Sequence, residues 1–192
     1  MAVRAPGGLD AARLAGSVAV VLALASACVR AEPEPRAPVE VEERGTEPVA
    51  PFVFDSLDAR PVARDALRGK PAVLVFVTTW DIASQAQVGF LVHMAARDGD
   101  AVTYALVALH ERHERELVEA YARTLKVTFP VALGDADSRV GRGPLGDVHQ
   151  IPTVLVLDAA GRLVKRHVGL TKSDALRASV ELAKRAPAPT GR

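Results

Sequence analysis

From residue 72 onward the apolar positions fall into runs whose spacing alternates between strand-like and helix-like. The unbroken run Val73, Leu74, Val75, Phe76 and Val77 is rich in β-branched residues and predicts a strand covered on both faces. Beyond Asp81, apolar residues at Ile82, Ala86, Phe90, Leu91 and Met94 predict a helix with those side chains on its inner face, closed by Gly99 and Asp100. Residues 101–109 predict a second strand. Residues 111–126 predict a second helix with Leu117, Val118, Tyr121 and Leu125 inward, and residues 129–133 a shorter third strand. Gly and Asp dominate residues 134–146, which read as loop with one turn around 138–140. Residues 154–157 and 163–168 flank Asp158, Ala159, Ala160 and Gly161, a hairpin signal. A last helix is expected from Thr171 to Arg185, with Asp174 as capping-box partner.

Ahead of the first strand, residues 65–68 predict a helical turn ending at Gly69. The N-terminus has a different character. Arg4 and Arg13 supply positive charge, with Asp10 against it, and residues 15–27 are apolar but too few to span a bilayer as a helix. Ala25, Ser26 and Ala27 then lead into Cys28, an ending that resembles a bacterial lipoprotein lipobox. On that reading residues 1–27 are a signal peptide and Cys28 becomes the acylated anchor. An ordinary cleaved signal followed by an incidental cysteine is the other reading. Residues 28–51 alternate proline with charge, cannot bury enough apolar surface to offset ordering, and are expected to be a disordered tether. The folded domain is expected over residues 52–186, with a frayed tail over 187–192.

Composition narrows the possibilities. The 192 residues carry 24 Lys and Arg against 23 Asp and Glu, a net charge of +1, which gives no electrostatic footprint for nucleic acid. There is one cysteine, so no disulfide can close within these residues and no dithiol can cycle. No Ser-His-Asp order and no Gly-rich phosphate loop is present; Gly141, Arg142, Gly143 and Pro144 lack the strand-then-helix setting that phosphate binding needs.

Three separated motifs carry a resemblance. Gly69, Lys70 and Pro71 precede the apolar strand, Thr79 and Trp80 follow it, and Ile151, Pro152 and Thr153 open the stretch VLVLDAAGRLVKRHVGL. Together they resemble the extracytoplasmic thiol–disulfide oxidoreductases of the TlpA and ResA type, within the thioredoxin and peroxiredoxin superfamily. The resemblance implies an α/β thioredoxin-like fold, a central mixed sheet flanked by helices, with a short hairpin opening the domain at residues 52–61. It also implies a cis peptide before Pro152, a loop packed opposite the active-site turn, and an exposed Ile151 backbone able to pair with an extended partner. In that family a Trp-Cys-x-x-Cys motif stands at the junction of strand and helix. Here Asp81 and Ser84 hold the two cysteine positions.

Those two residues change the chemistry. A thiolate at a helix start is favoured by free N–H groups and the helix dipole. Asp81 puts a fixed negative charge there and is expected to cap the helix. Ser84 is a poor nucleophile without an activating base. The expectation is no catalytic residue and no thiol–disulfide exchange. Trp80, Asp81, Ser84, Ile151 and Pro152 could instead line a partner-binding groove; the plainer reading is a capped helix with a solvated serine. His110, His113 and His149 raise a metal site, against which stands a solvated helix start with no familiar ligand spacing. No cofactor is expected. The favoured reading is a redox-inactive binding or scaffolding module in the bacterial cell envelope, facing the periplasm or cell exterior. Its partners would be the membrane through Cys28 and an extended peptide or envelope protein. A TlpA-like reductase and a metal-handling protein are the alternatives.

Overall fold

The computed structural model describes residues 39–41, 45, 47–146 and 148–186. The proposed signal, the Cys28 anchor and the C-terminal tail lie outside the described residues. Eight strands form one sheet: β1 (Val39–Val41), β2 (Val53–Ser56), β3 (Val62–Ala63), β4 (Ala72–Val77), β5 (Thr103–Ala108), β6 (Val131–Leu133), β7 (Thr153–Leu157) and β8 (Leu163–Val168). Their spatial order is β1-β8-β7-β4-β5-β6-β2-β3. The central strands β4, β5 and β6 run parallel, while β7 lies antiparallel against the other side of β4. Among the described residues four helices accompany them: α1 (Ile82–Asp98), α2 (Arg115–Thr124), the single turn α3 (Ala136–Arg139) and α4 (Ser173–Arg185).

All six residues of β4 are buried, as expected for a strand covered on both faces. Its alternate side chains belong to different layers. Val73, Val75 and Val77 pack with Val88, Leu91 and Met94 of α1, Val118 of α2, and Leu176 and Val180 of α4. Ala72, Leu74 and Phe76 face Phe52, Phe54 and Val62 of the opening hairpin and Leu67 of the helical turn after it, together with Leu145 and Val148. Three helices therefore cover one face, and a hairpin and a loop cover the other.

Several expectations need correction. Of the five residues placed inside α1, only Leu91 and Met94 are buried; Ile82 is 81% exposed. The buried face runs instead through Ser84, Gln87, Val88, Leu91 and Met94, which admits two polar residues that an apolar-spacing argument discards. On α2, Val118 and Tyr121 are buried but Leu117 is exposed. The tether expected over residues 28–51 is not wholly apart from the domain: β1 pairs with β8, and Gly45 and Val49 donate to the Leu163 and Gly161 carbonyls. The alternating sequence Val39-Glu40-Val41 is a strand pattern set within a proline-rich segment, and the open edge of β8 offers it a ladder. Finally, α4 is capped by Lys172 without a side-chain bond, so no box joins Thr171 and Asp174.

Candidate functional site

The site is built at the edge where β4 and β5 end and β7 begins. After Val77 the chain passes buried Thr78 and half-buried Thr79 to Trp80, which is 65% exposed. Asp81 adopts an extended conformation (φ −89°, ψ 122°) and its carboxylate accepts the Ser84 amide at 2.6 Å. This is the expected N-cap: a short acid satisfies one of the free N–H groups at the helix start. Ser84 is not solvated. Its side chain is fully buried, and its hydroxyl finds no hydrogen-bond partner among the described residues. It therefore sits behind the corner and does not line a groove.

Parallel pairing of Val77 with Ala108 brings the residues after β5 alongside those after β4. That register explains a residue whose burial the sequence concealed. His110 is 1% exposed, its Nε2 accepts the Thr79 amide at 3.0 Å, and its ring meets that of Trp80 at 4.6 Å, edge to face. Gln85 Nε2 donates to the Thr79 carbonyl at 3.2 Å. Both backbone groups of Thr79 are thus held, and Trp80 stands on a fixed platform. Gln87, also buried, accepts the Thr171 amide at 2.8 Å and ties α1 to the loop after β8.

The Ile151–Pro152 peptide is cis, as the resemblance implied. Pairing of Phe76 with Thr153 sets Pro152 beside Val77, so the proline loop and the capped corner share one edge of the sheet. Pro152 is buried, its carbonyl accepting the Gly169 amide at 2.7 Å. Ile151 is half-buried, and its backbone enters none of the hydrogen bonds found among the described residues. Trp80, the Asp81 carboxylate and the Ile151 backbone stand together at this edge.

Tyr121 reaches the same corner from α2. Burial pushes its hydroxyl well above the ordinary tyrosine range, and the nearby Asp81 charge pushes it the same way. The histidines do not converge. His110 lies under Trp80, His113 is exposed with Nδ1 3.3 Å from Glu111, and exposed His149 packs its ring against Gly141. Among the described residues no three His, Cys, Asp or Glu side chains could hold a metal ion. The charged run after β5 is more than a solvated face: Glu114 reaches back to accept the Glu111 amide at 2.9 Å, starting the turn that leads into α2.

A mixed sheet of this order, with a capped helix facing a cis-proline loop, is a thioredoxin-like fold. Solved structures agree. The chain is similar to a DsbF homologue from Corynebacterium diphtheriae, with a TM-score of 0.66 and 16% identity over 79% of this chain and 97% of that one. It is similar to a thio-disulfide isomerase from Thermus thermophilus, with a TM-score of 0.60 and 26% identity over 73% and 96%. A secreted Mycobacterium tuberculosis disulfide oxidoreductase gives 0.56 and 23% over 68% and 95%. No protein-family model and no curated protein sequence matches the chain. The sole cysteine of the sequence, Cys28, falls before the domain that carries this likeness.

Proposed function

We propose that this chain is a redox-inactive thioredoxin-like module, held in the bacterial cell envelope by acylation of Cys28, whose Trp80–Ile151 corner binds a partner. The observation that carries the reading is Asp81. Its carboxylate occupies the helix start where a reactive thiolate would be stabilised, and is bound there by the Ser84 amide. Disulfide exchange needs a sulfur nucleophile that can reach its target. Residues 29–192 contain none, and the buried Ser84 hydroxyl could not approach a substrate disulfide. The secreted protein among the similar structures, and the small residues before Cys28, support a place outside the cytoplasm.

Insulin reduction by the purified protein should not exceed the rate in buffer; measurable turnover would overturn the reading. The double variant Asp81→Cys, Ser84→Cys should gain a dithiol that oxidises within the chain, since the backbone corner is intact. Partner binding is tested by capture from the envelope fraction. If Asp81→Ala and Ile151→Ala variants retain every partner equally, this corner is not the binding site.

A further inference from the structure

Large apolar side chains exposed to solvent are ordinary when scattered. Here they are gathered. Trp80 and Ile82, 65% and 81% exposed, follow the end of β4, and exposed Leu170 follows the end of β8, which pairs with the start of β7. Val53 precedes the point where β2 pairs with the last residue of β6. Exposed Val140 adjoins Gly141, which abuts His149 just before the cis-proline loop. The other two exposed large apolar side chains among the described residues, Leu117 and Leu182, lie on α2 and α4. The gathered five run along the edge of the sheet from β8 to β2, five strand spacings and therefore ~24 Å. An extended peptide could run that length in about seven residues at roughly 3.4 Å each, so the choice of occupant rests on where the chain enters the sheet.

The entry point of the chain says what that occupant is. β1 runs antiparallel to β8 with Val39 opposite Val168, so the chain arriving from Cys28 joins the sheet at this same edge. Eleven residue steps separate Cys28 from Val39, a reach of at most ~40 Å when fully extended. We infer that the Trp80 edge docks on the surface of the bilayer in which acylated Cys28 is anchored, with Trp80 and Ile82 entering the interfacial layer. This deepens the proposed function and rests on its acylated anchor. An indole with an apolar body and a polar N–H suits the headgroup boundary. Charge adds little, because Arg112 and Arg139 share the Val53 end of the rim with Asp55, Glu111 and Asp135. The docking is apolar, and salt should not reverse it.

Trp80 is the only tryptophan, so its emission reports on this edge alone. The full protein is purified from bacterial membranes, its acylation checked by mass, and reconstituted in phosphatidylethanolamine–phosphatidylglycerol vesicles with or without bromine on the acyl chains near the carbonyl. The expected result is a blue-shifted emission quenched by the brominated lipid and unchanged by salt. Ile82→Asp should lose the quenching, while Leu182→Asp, on α4, should keep it. An acylated protein whose Trp80 is equally bright in both vesicles overturns the docking and leaves the anchor standing. A protein without acyl chains overturns the anchor and the docking with it.

Discussion

The Thr79 amide donates to Nε2 of His110 at 3.0 Å, joining the residue before Trp80 to the residue that lies beneath it. Since Nε2 accepts, the ring proton of neutral His110 resides on Nδ1, which faces Glu114 Oε2 at 3.3 Å. Replacing His110 with Ala leaves the Thr79 N–H without this acceptor and takes the platform from under the indole. Loss of this part-buried bond together with the packing of the ring should cost ~1–3 kcal/mol. Urea unfolding should show a loss in that range, with Trp80 emission shifted to the red before unfolding begins. Unchanged emission would mean that His110 does not position the indole.

Two residues of α1 test the corrected packing. Leu91 is 1% exposed within the layer between β4 and the helices, whereas Ile82 is 81% exposed although its spacing suggested the core. Leu91→Ala should cost ~2–5 kcal/mol through lost burial and a residual cavity. Ile82→Ser should stay within ~0.5 kcal/mol. Equal losses in denaturant titration would show that Ile82 is packed after all.

What could be read from the sequence follows from which physical term set each feature. β4 was legible because a strand buried on both faces must be apolar throughout. The Asp81 cap was legible because a short acid before a helical pattern has one favoured use. Pro152 was read through resemblance, since nothing in its own composition marks a cis bond. The burial of Gln87 and His110 is not legible locally because each depends on a partner from a distant segment, Thr171 for Gln87 and Thr79 for His110, while Ser84 is buried with no partner for its hydroxyl among the described residues. β1 was missed for the same reason, its partner lying more than a hundred residues further on. No capping box forms at Thr171, although a hydroxyl is the familiar sign of one; the box that forms uses two acids, Glu111 and Glu114.

That turn makes a prediction about acid. The Glu111 amide bonded to Glu114 holds the Glu114 carboxyl below the usual carboxylate range, with smaller contributions from His110 and His113. A folded value below the unfolded one means that the contribution is present at neutral pH, begins to fade below about pH 4.3, and is lost as pH falls through the lowered value. Wild type should therefore melt above Glu114→Ala at pH 7, with the gap closing in acid. Glu114→Gln keeps an acceptor oxygen without a charge, so its gap from wild type should shrink in the same window while its gap from the Ala variant holds. A wild-type advantage over the Ala variant that is independent of pH would remove the carboxylate from the account.

At the alkaline end both tyrosines of the chain, Tyr104 and Tyr121, are buried. Burial is the larger cause in each, raising both hydroxyls well above the ordinary value of about 10. The second cause differs. Tyr104 donates to Asp98 Oδ2 at 2.5 Å, while Tyr121 feels the charge of Asp81. Above pH ~10 the unfolded chain releases these protons while the native chain retains them, so stability falls as pH rises. Absorbance of the native protein should show no tyrosinate near pH 10; both should ionise together, in step with loss of helical circular dichroism. Asp81→Asn removes the charge beside Tyr121 and not the one beside Tyr104, so in that variant Tyr121 alone should ionise at lower pH. Ionisation of either tyrosine near pH 10 in a still-folded wild-type protein would show that water reaches the hydroxyl, and for Tyr121 would open the corner beneath Asp81.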